Sequence, residues 1–318
     1  MTKIVTIGGG TGSFAVLRGL KKYPFDISAV VTMFDSGGSS GVLRDEYGIL
    51  PPGDLRRCLL ALAGEASAPT LRSLFNYRFD KAGSLYGHSF GNLFITALTD
   101  IEGDYLKAID RAAEILHVQG KICPVSLDDA QLCVELEDGT FVRGEANIDN
   151  PQHNQQLKIT RAFLEPEARA QPRALQAITE ADVIVIGPGD LYTSIIPNLL
   201  VDGVAAALKA SQAKKIYICN LMTKSGETNG FKVSQFAQEI LRYATLDKLD
   251  YLICNDEVME ESSLQEYARN HQFPVVIDER VAQYARQVVR AQLSAEGNML
   301  RHDSDKLAAV ISGLLLPK

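Results

Sequence analysis

The chain has 318 residues, of which 46% are hydrophobic and 22% are charged. These values are ordinary for a globular protein that buries a substantial core. The net charge of -7, from 32 basic and 39 acidic residues, argues against a dedicated nucleic-acid binder, because that function needs clustered lysines and arginines. A small anionic ligand is compatible with this charge, since one loop can be locally positive.

The cysteines are scattered and odd in number, and no two have the CxxC spacing of a zinc or redox site. They are Cys58, Cys123, Cys133, Cys219 and Cys254. This usage indicates buried thiols in a reducing compartment. No secretory signal precedes the first predicted strand, and no apolar run approaches the roughly 18 residues of a membrane-spanning helix. We therefore expect a soluble cytoplasmic protein.

The first part of the chain alternates between predicted strands and helices. Ile4 to Ile7 is a β-branched run that predicts a buried strand, and a helix is predicted from about Ser13 to Lys22. A second strand is predicted from Ile27 to Phe34. After a Pro-Pro-Gly turn, Asp54 is the predicted N-cap of a helix over Leu55 to Ala63.

The hydrophobic period changes between Lys121 and Leu164, where apolar and polar residues alternate and Asp138-Gly139 predicts a hairpin turn. Helix and strand patterns then resume, with strands predicted at Asp182 to Ile186, Ile216 to Cys219 and Tyr251 to Cys254. Strands that alternate with helices predict an α/β fold with a Rossmann-like, doubly wound, mostly parallel sheet. We expect a single domain over residues 1–318 with a small antiparallel β insertion at about 121–164.

Polar, glycine-rich loops follow the predicted strands, which is where open parallel sheets bind ligands. The first is GGGTGS, Gly8 to Ser13. Its glycines allow the backbone to approach a phosphate, and the following helix offers free N–H groups. The loop lacks the third glycine of a dinucleotide fingerprint and the Walker lysine. We predict ligand binding by Gly9, Gly10, Thr11, Gly12 and Ser13, and a tight turn without a ligand is the alternative.

The second loop is DSGGSSG, Asp35 to Gly41, which predicts a second anion-binding nest. The predicted ligand-binding residues here are Asp35, Gly37, Gly38, Ser39, Ser40 and Arg44, whose guanidinium can pair with a phosphate. Asp35 could instead accept a ribose hydroxyl in an NAD-dependent oxidoreductase. The serines and glycines after Asp35 weigh against that interpretation. A flexible surface loop is the remaining alternative.

Further loops extend the predicted site. Asp54 is a candidate catalytic residue as well as a cap, and Asp35 and Asp54 are candidate Mg²⁺ ligands. His88, in the loop GHSFGN, is a candidate general acid–base. Asp303 is the predicted cap of the last helix. Additional predicted ligand contacts are Arg57, Asn92, Gly187, Gly189, Tyr192, Thr193, Ser194 and Asn220.

Six ordered blocks, among them GHSFGNLF and GPGDLYTSIIPNLLV, resemble the CofD/YvcK family. This family unites 2-phospho-L-lactate transferases with bacterial gluconeogenesis factors. The resemblance covers nearly the whole chain and is nearest to the gluconeogenesis-factor branch. The sequence departs from that branch at Ser36, where a second aspartate is usual, and at Asp190, where serine is frequent.

The resemblance implies a Rossmann-like sheet with Gly9 to Ser13 and Gly37 to Ser40 on phosphates and Asp54 beside the reacting group. It also implies that Asn220, Thr223 and Arg301 lie on the nucleotide or sugar side. The resemblance predicts a cytoplasmic UDP-sugar-binding protein that supports cell shape and growth on gluconeogenic carbon sources. UDP-N-acetylglucosamine is the first ligand to test, and a homo-oligomer is compatible with the sequence. The alternative is a magnesium-dependent phospho-ester transferase of the 2-phospho-L-lactate transferase type, acting on a GDP-linked donor.

Overall fold

The structure of the protein is a computed structural model, which describes residues 1–64, 69–295, 297 and 299–315, apart from the side chains of 261–263. Seven strands form a parallel sheet: Thr2–Gly8 (β1), Phe25–Val31 (β2), Lys121–Pro124 (β3), Val183–Ile186 (β7), Lys214–Ile218 (β8), Leu249–Asn255 (β9) and Ala285–Ala291 (β10). Three strands form a small antiparallel sheet: Gln131–Leu136 (β4), Phe141–Arg143 (β5) and Ile159–Glu165 (β6).

The α-helices of the described residues lie between these strands. They are Gly10–Leu20 (α1), Gly38–Tyr47 (α2), Gly53–Leu62 (α3), Pro69–Asn76 (α4), Phe90–Glu102 (α5), Tyr105–Ile115 (α6), Glu145–Asp149 (α7), Pro172–Glu180 (α8), Ile196–Leu199 (α9), Val204–Ala210 (α10), Val233–Ala244 (α11), Glu261–Arg269 (α12) and Ser304–Leu315 (α13). A π-helical turn, Leu191–Ile195, precedes α9, and a 3₁₀ turn, Glu279–Gln283, precedes β10.

The order of the parallel strands creates the position for a ligand. The sheet runs β3-β2-β1-β7-β8-β9-β10, so the direction of winding reverses between β1 and β7. Ile7 of β1 pairs with Val30 of β2 on one side and with Ile186 of β7 on the other. Connections leave such a pair of strands in opposite directions and open a crevice at their carboxyl ends.

The central strands are buried on both faces, as expected where helices cover a parallel sheet. Ile4, Ile184, Ile216 and Ile253 are all fully buried. All five cysteines are buried and free. Within the described ranges, each helix is too short or too polar to cross a membrane.

The predicted fold class is confirmed, and several local predictions can be compared with the structure. The Asp138-Gly139 hairpin joins β4 to β5 as predicted. Asp303 caps α13 as predicted, since its Oδ1 accepts hydrogen bonds from the N–H groups of Asp305 and Lys306, each at 2.8 Å. The segment Lys121–Pro124 pairs in parallel with β2 in the main sheet, so the antiparallel part begins later than the sequence period suggests.

The prediction that Asp54 is an N-cap is wrong. The helix α3 already begins at Gly53, its N-cap is Pro52, and Asp54 lies in the first helical turn. Its carboxylate faces the glycine turn after β1 and Arg57. The second strand also ends earlier than predicted, because the chain leaves the sheet after Val31 and continues as a buried segment along the crevice.

Candidate functional site

A cleft of about 860 Å³ occupies the crevice between β1 and β7. Loops after β1, β2, β7 and β8 form its floor, and α7 and the start of α13 contribute to its walls. It brings together most of the residues predicted from the sequence. These are Gly10, Thr11, Gly12, Asp35, Gly37, Gly38, Ser39, Ser40, Asp54, Arg57, Asn92, Gly189, Thr193, Ser194, Asn220, Thr223 and Arg301.

Two helices begin at the wall of this cleft. The N-cap residues of α1 and α2 are Gly9 and Gly37, which have no side chain to cap the helix. Gly10 and Gly38 adopt φ values of +64° and +47°, a left-handed conformation that glycine adopts without strain. Asp35 Oδ1 already accepts from the Gly37 N–H at 2.9 Å. The N–H groups further along each first turn, which no N-cap side chain holds, are suited to bind an anion.

Gly12 lies where the first turn of α1 contacts the loop after β7. A Cβ at Gly12 would overlap the carbonyl of Pro188, in the loop after β7. Only a residue without a side chain therefore permits the first turn of α1 to contact this loop. The contact joins the two halves of the sheet at the switch point.

Three carboxylates stand beside the second nest: Asp35, Asp54 and Glu145 all line the cleft. The pKa of Asp54 is raised to about 6, first by burial and second by the charge of Asp35, while Arg57 opposes the shift. The pKa of Glu145 is raised to about 8 by burial and by the charges of Asp35 and Asp149. Carboxylates with raised pKa values are suited to hold a proton or a cation.

Arginines supply the positive charge of the cleft. Arg57 lies 3.5 Å from Asp54 and is 40% exposed, so its guanidinium can reach a ligand. Arg56 is buried, and it donates hydrogen bonds to Asn92 Oδ1 and to the Phe75 carbonyl, each at 3.0 Å. Burial lowers the pKa of Arg56 to about 10. Arg18, Arg78 and Arg301 line the cleft as well.

A second charged group surrounds Lys224. Its ammonium contacts Asp149, lies 2.8 Å from Asp190 and lies 3.2 Å from Glu227. Burial alone would lower the pKa of Lys224, but the three carboxylates raise it above its ordinary value. Glu227 is fully buried and accepts hydrogen bonds from the Tyr192 N–H at 3.1 Å and the Thr193 hydroxyl at 3.2 Å. The group links α7, the loop after β7 and the loop after β8.

Some predicted residues lie behind the cleft wall. Gly9 packs against Asp54 and Thr32, and the buried Ser13 lies beneath Gly8. Gly187 adopts a φ of +73° and shapes the turn after β7. Gly9, Ser13 and Gly187 shape the loops that line the cleft. A direct ligand contact by any of them stays a prediction.

Arg44, His88 and Tyr192 also have partners within the protein. Arg44 lies 3.3 Å from Asp45. His88 Nδ1 is 3.2 Å from the hydroxyl of Ser39, a cleft residue, so His88 stands one side chain away from the cleft. The Tyr192 hydroxyl donates to Glu239 at 3.2 Å. Ligand contacts by these three residues also stay predictions.

Sequence reasoning missed several cleft residues: Thr32, Arg78, Glu145, Asp149, Asp190, Lys224 and His302. Glu145 and Asp149 lie on α7, which reaches the cleft because the Ala146 N–H donates to the Ser36 hydroxyl at 3.0 Å. No local pattern signals a contact between segments so far apart in sequence. Asp190 and Lys224 could have been found, since both lie in loops after predicted strands.

The fold and the site together define a class of protein. It is a doubly wound α/β protein with two glycine nests and a polar cleft at the switch point of the sheet. The chain belongs to the family described as 2-phospho-L-lactate transferase CofD, whose model matches residues 4–294.

Proteins named gluconeogenesis factor are similar to it. That of Bacillus subtilis is 40% identical over 316 residues, which are 98% of this chain and 98% of that protein. That of Halalkalibacterium halodurans is 42% identical over 311 residues, covering 97% of this chain and 95% of that protein. The crystal structure of a UPF0052 family member from Bacillus halodurans superposes with a TM-score of 0.91 at 40% identity, covering 98% of this chain and 99% of that one.

Proposed function

We propose that the protein is a cytoplasmic binding protein for a nucleotide-linked sugar, a UDP-sugar such as UDP-N-acetylglucosamine. We further propose that this binding serves growth on gluconeogenic carbon sources and the control of cell shape. Membership of the CofD family and the similarity to gluconeogenesis factors support the general role.

One observation carries the choice of ligand: two helix starts that no N-cap side chain covers, those of α1 and α2, face a single cleft. A diphosphate presents two neighbouring anionic groups, so it matches a pair of nests better than a single phosphate does. Arg57 and Arg301 add charge-assisted donors at the same cleft. Its volume of about 860 Å³ is within the range of pockets for small ligands and cofactors, on the order of 300–1,000 Å³.

Isothermal titration with UDP-N-acetylglucosamine tests the binding. We expect Arg57→Gln to weaken the affinity about tenfold, which corresponds to ~1.4 kcal/mol. Arg111→Gln is the matched control, because Arg111 is exposed and pairs with Glu102 and Glu114 outside the cleft. Absence of binding to the wild-type protein at millimolar ligand contradicts the proposal.

The cellular role is tested by complementation. A strain without the protein is expected to lose growth and normal shape on a gluconeogenic carbon source. The wild-type gene and the Arg111→Gln gene should restore both traits, and the Arg57→Gln gene should not. Equal rescue by all three genes would show that the cellular role does not depend on Arg57 in the cleft.

The alternative is a magnesium-dependent phospho-ester transferase, and the acidic group of Asp35, Asp54 and Glu145 favours it. Carboxylate oxygens are the ligands that Mg²⁺ prefers, and burial and mutual repulsion already raise the pKa values of Asp54 and Glu145. A divalent cation would relieve that repulsion. The described carboxylates whose oxygens lie within 4.8 Å of one another are Asp149, Asp190 and Glu227, and Lys224 already offsets part of their charge. When bound, the ion would neutralise the charge of a transferred phosphoryl group.

This alternative is tested in two steps. Mg²⁺ should raise the melting temperature of the wild-type protein but not of Asp35→Asn. Asp45→Asn is the control, because the side chain of Asp45 is 71% exposed and lies outside the cleft. Incubation with a deazaflavin alcohol, the phospholactyl donor and Mg²⁺ then tests the reaction, and absence of product leaves the binding function alone.

A further inference from the structure

Arg56 is a buried cation in the wall of the cleft. The residue is 7% exposed and lines the cleft. Its Nε donates to Asn92 Oδ1 and its Nη1 donates to the Phe75 carbonyl, each at 3.0 Å. Both acceptors are uncharged, and the neighbouring Asp54 carboxylate pairs with Arg57 instead. Because a buried charge without a counter-ion is costly in a folded protein, this arginine indicates a site for an anion.

The remaining nitrogen of Arg56, Nη2, is accessible. It has no hydrogen-bond partner among the described residues, and it is not one of the enclosed polar atoms of that part of the chain. Since the guanidinium is planar and two of its nitrogens are held, the direction of Nη2 is fixed as well. Gly91 makes room for this arrangement, because a Cβ there would lie 2.6 Å from Arg56 Cδ and 2.7 Å from the Phe75 carbonyl oxygen. A buried guanidinium therefore keeps one donor free at the cleft wall.

Hydrogen bonds place Arg56 and Arg78 beside the start of α2. The Asn92 amide that accepts from Arg56 donates through Nδ2 to the Ser39 hydroxyl at 3.1 Å. Ser39 lies in the first turn of α2. The backbone of Arg78 bridges to Ser89, whose N–H donates to the same Ser39 hydroxyl at 3.4 Å. Both arginines therefore lie next to the second glycine nest, and both line the cleft.

Positive charge is in excess at this wall. Burial lowers the pKa of Arg56 to about 10, and the charges of Arg57 and Arg78 add to this effect while the charge of Asp54 opposes it. Arg57 contacts the Asp54 carboxylate, whereas Arg56 and Arg78 donate to uncharged oxygens. An anionic group that accepts from Arg56 Nη2 would relieve the repulsion and supply the missing counter-charge.

The order of the strands places this wall at one end of the cleft. The sheet runs β8-β7-β1-β2-β3 across the switch point. The starts of α1 and α2 follow β1 and β2, and Arg56 lies on α3, which contacts β2 and β3. The loop after β8 lies at the other end and carries Asn220. A ligand with its nucleoside at that loop and its diphosphate at the starts of α1 and α2 extends its sugar towards Arg56.

We propose that Arg56 and Arg78 bind a carboxylate on the sugar, so that the ligand is an acidic nucleotide sugar. This inference rests on the proposed nucleotide-sugar function and deepens it by naming the class of sugar. The carboxylate accepts from Arg56 Nη2 and from the exposed guanidinium of Arg78, and its planar shape suits a guanidinium. A neutral sugar leaves the buried guanidinium without a counter-ion and binds more weakly.

Titration calorimetry with two matched pairs of ligands tests the proposal. UDP-glucuronic acid has a carboxylate where UDP-glucose has a hydroxymethyl group, and UDP-N-acetylmuramic acid adds an acidic lactyl ether to UDP-N-acetylglucosamine. In at least one pair, the wild-type protein should bind the acidic ligand about tenfold more tightly than its neutral partner. Arg56→Gln should abolish this preference, and Arg78→Gln should reduce it. Arg111→Gln, at an exposed position outside the cleft, is the control and should keep the preference.

The outcomes separate this inference from the function on which it rests. If UDP-N-acetylglucosamine binds but neither acidic ligand binds more tightly than its partner, only the inference is wrong. If Arg56→Gln weakens both members of a pair equally, the arginine contacts the diphosphate and the carboxylate site is overturned. If no UDP-sugar binds the wild-type protein, the proposed function and the inference both fail. Thermal unfolding shows whether Arg56→Gln is folded. If it is not, Arg78→Gln decides, because a full preference for the acidic ligand in that variant contradicts the inference.

Discussion

Replacement of Asp54 by asparagine should stabilise the protein at neutral and alkaline pH. The side chain of Asp54 is 11% exposed, and it lies near the charge of Asp35, which raises its pKa. An ionised carboxylate in this position is held against desolvation and repulsion. Asparagine has nearly the same shape and can still accept a hydrogen bond, but it carries no charge.

The expected magnitude comes from the pKa in the folded and unfolded states. Burial and Asp35 raise the pKa of Asp54 from 3.8 to about 6, a difference of about 2 units and therefore about 3 kcal/mol. Because the folded pKa is raised, the folded state binds the proton more tightly, and stability falls as pH rises from about 4 to about 6. Above pH 6 the full difference applies. This difference already includes the attraction of Arg57, so we expect a gain of up to about 3 kcal/mol at pH 8 and almost none at pH 4.

Urea unfolding at pH 4.5 and pH 8 measures this difference, because urea leaves the ionic strength unchanged. The midpoint of Asp54→Asn should exceed that of the wild-type protein at pH 8 and approach it at pH 4.5. Asp45→Asn is the control, since the side chain of Asp45 is 71% exposed and a surface change should alter stability by less than about 0.5 kcal/mol. An Asp54→Asn effect that is equal at both pH values, or destabilising at pH 8, refutes the reasoning.

Further substitutions test other contacts. Gly12→Ala places a Cβ against the Pro188 carbonyl and should cost about 1–3 kcal/mol by thermal or urea unfolding. Gly313→Ala, whose Cβ would meet no described atom within 4 Å, should instead be neutral or stabilising by up to about 1 kcal/mol. Lys224→Met strands the buried Glu227 and should cost about 3–5 kcal/mol; addition of Glu227→Gln should restore part of this loss, and strict additivity would argue against the ion pair. Burial lowers the pKa of His302 from 6.5 to about 4, so stability should fall by up to about 3 kcal/mol as pH decreases through that interval. The stability of His302→Gln should depend less on pH, and an unchanged slope would contradict the lowered pKa of His302.

The location of the cleft could be predicted from the sequence. The glycine-rich loops that begin at Gly8, Asp35 and Gly187 follow β-branched runs, and the carboxyl ends of parallel strands meet at one edge of a sheet. Gly10, Asp35, Gly189 and Asn220 follow this rule and line a single cleft. That these residues line one cleft could be predicted, because it needs only local periodicity and the direction of the strands; their contact with a ligand stays a prediction.

The chemistry of the cleft was less predictable. Asp54 matched the local pattern of an N-cap, but α3 begins before it. The carboxylate of Asp54 faces Arg57 and the turn after β1. Glu145 and Asp149 carry no local signal, because α7 reaches the cleft through a contact between Ala146 and Ser36, which are far apart in sequence. The pKa of His302 is lowered by burial, which is not visible in the neighbouring residues.

The sequence by itself therefore determined the alternation of strands and helices and the two glycine turns that open α1 and α2. These features depend on backbone preferences that act over a few residues. Only the tertiary structure decided which side chains are buried, which charges are neighbours and which polar atoms lack partners. Desolvation and Coulomb interactions depend on distance in space, so they set the pKa of Asp54, the ion pairs of Lys224 and the lowered pKa of His302.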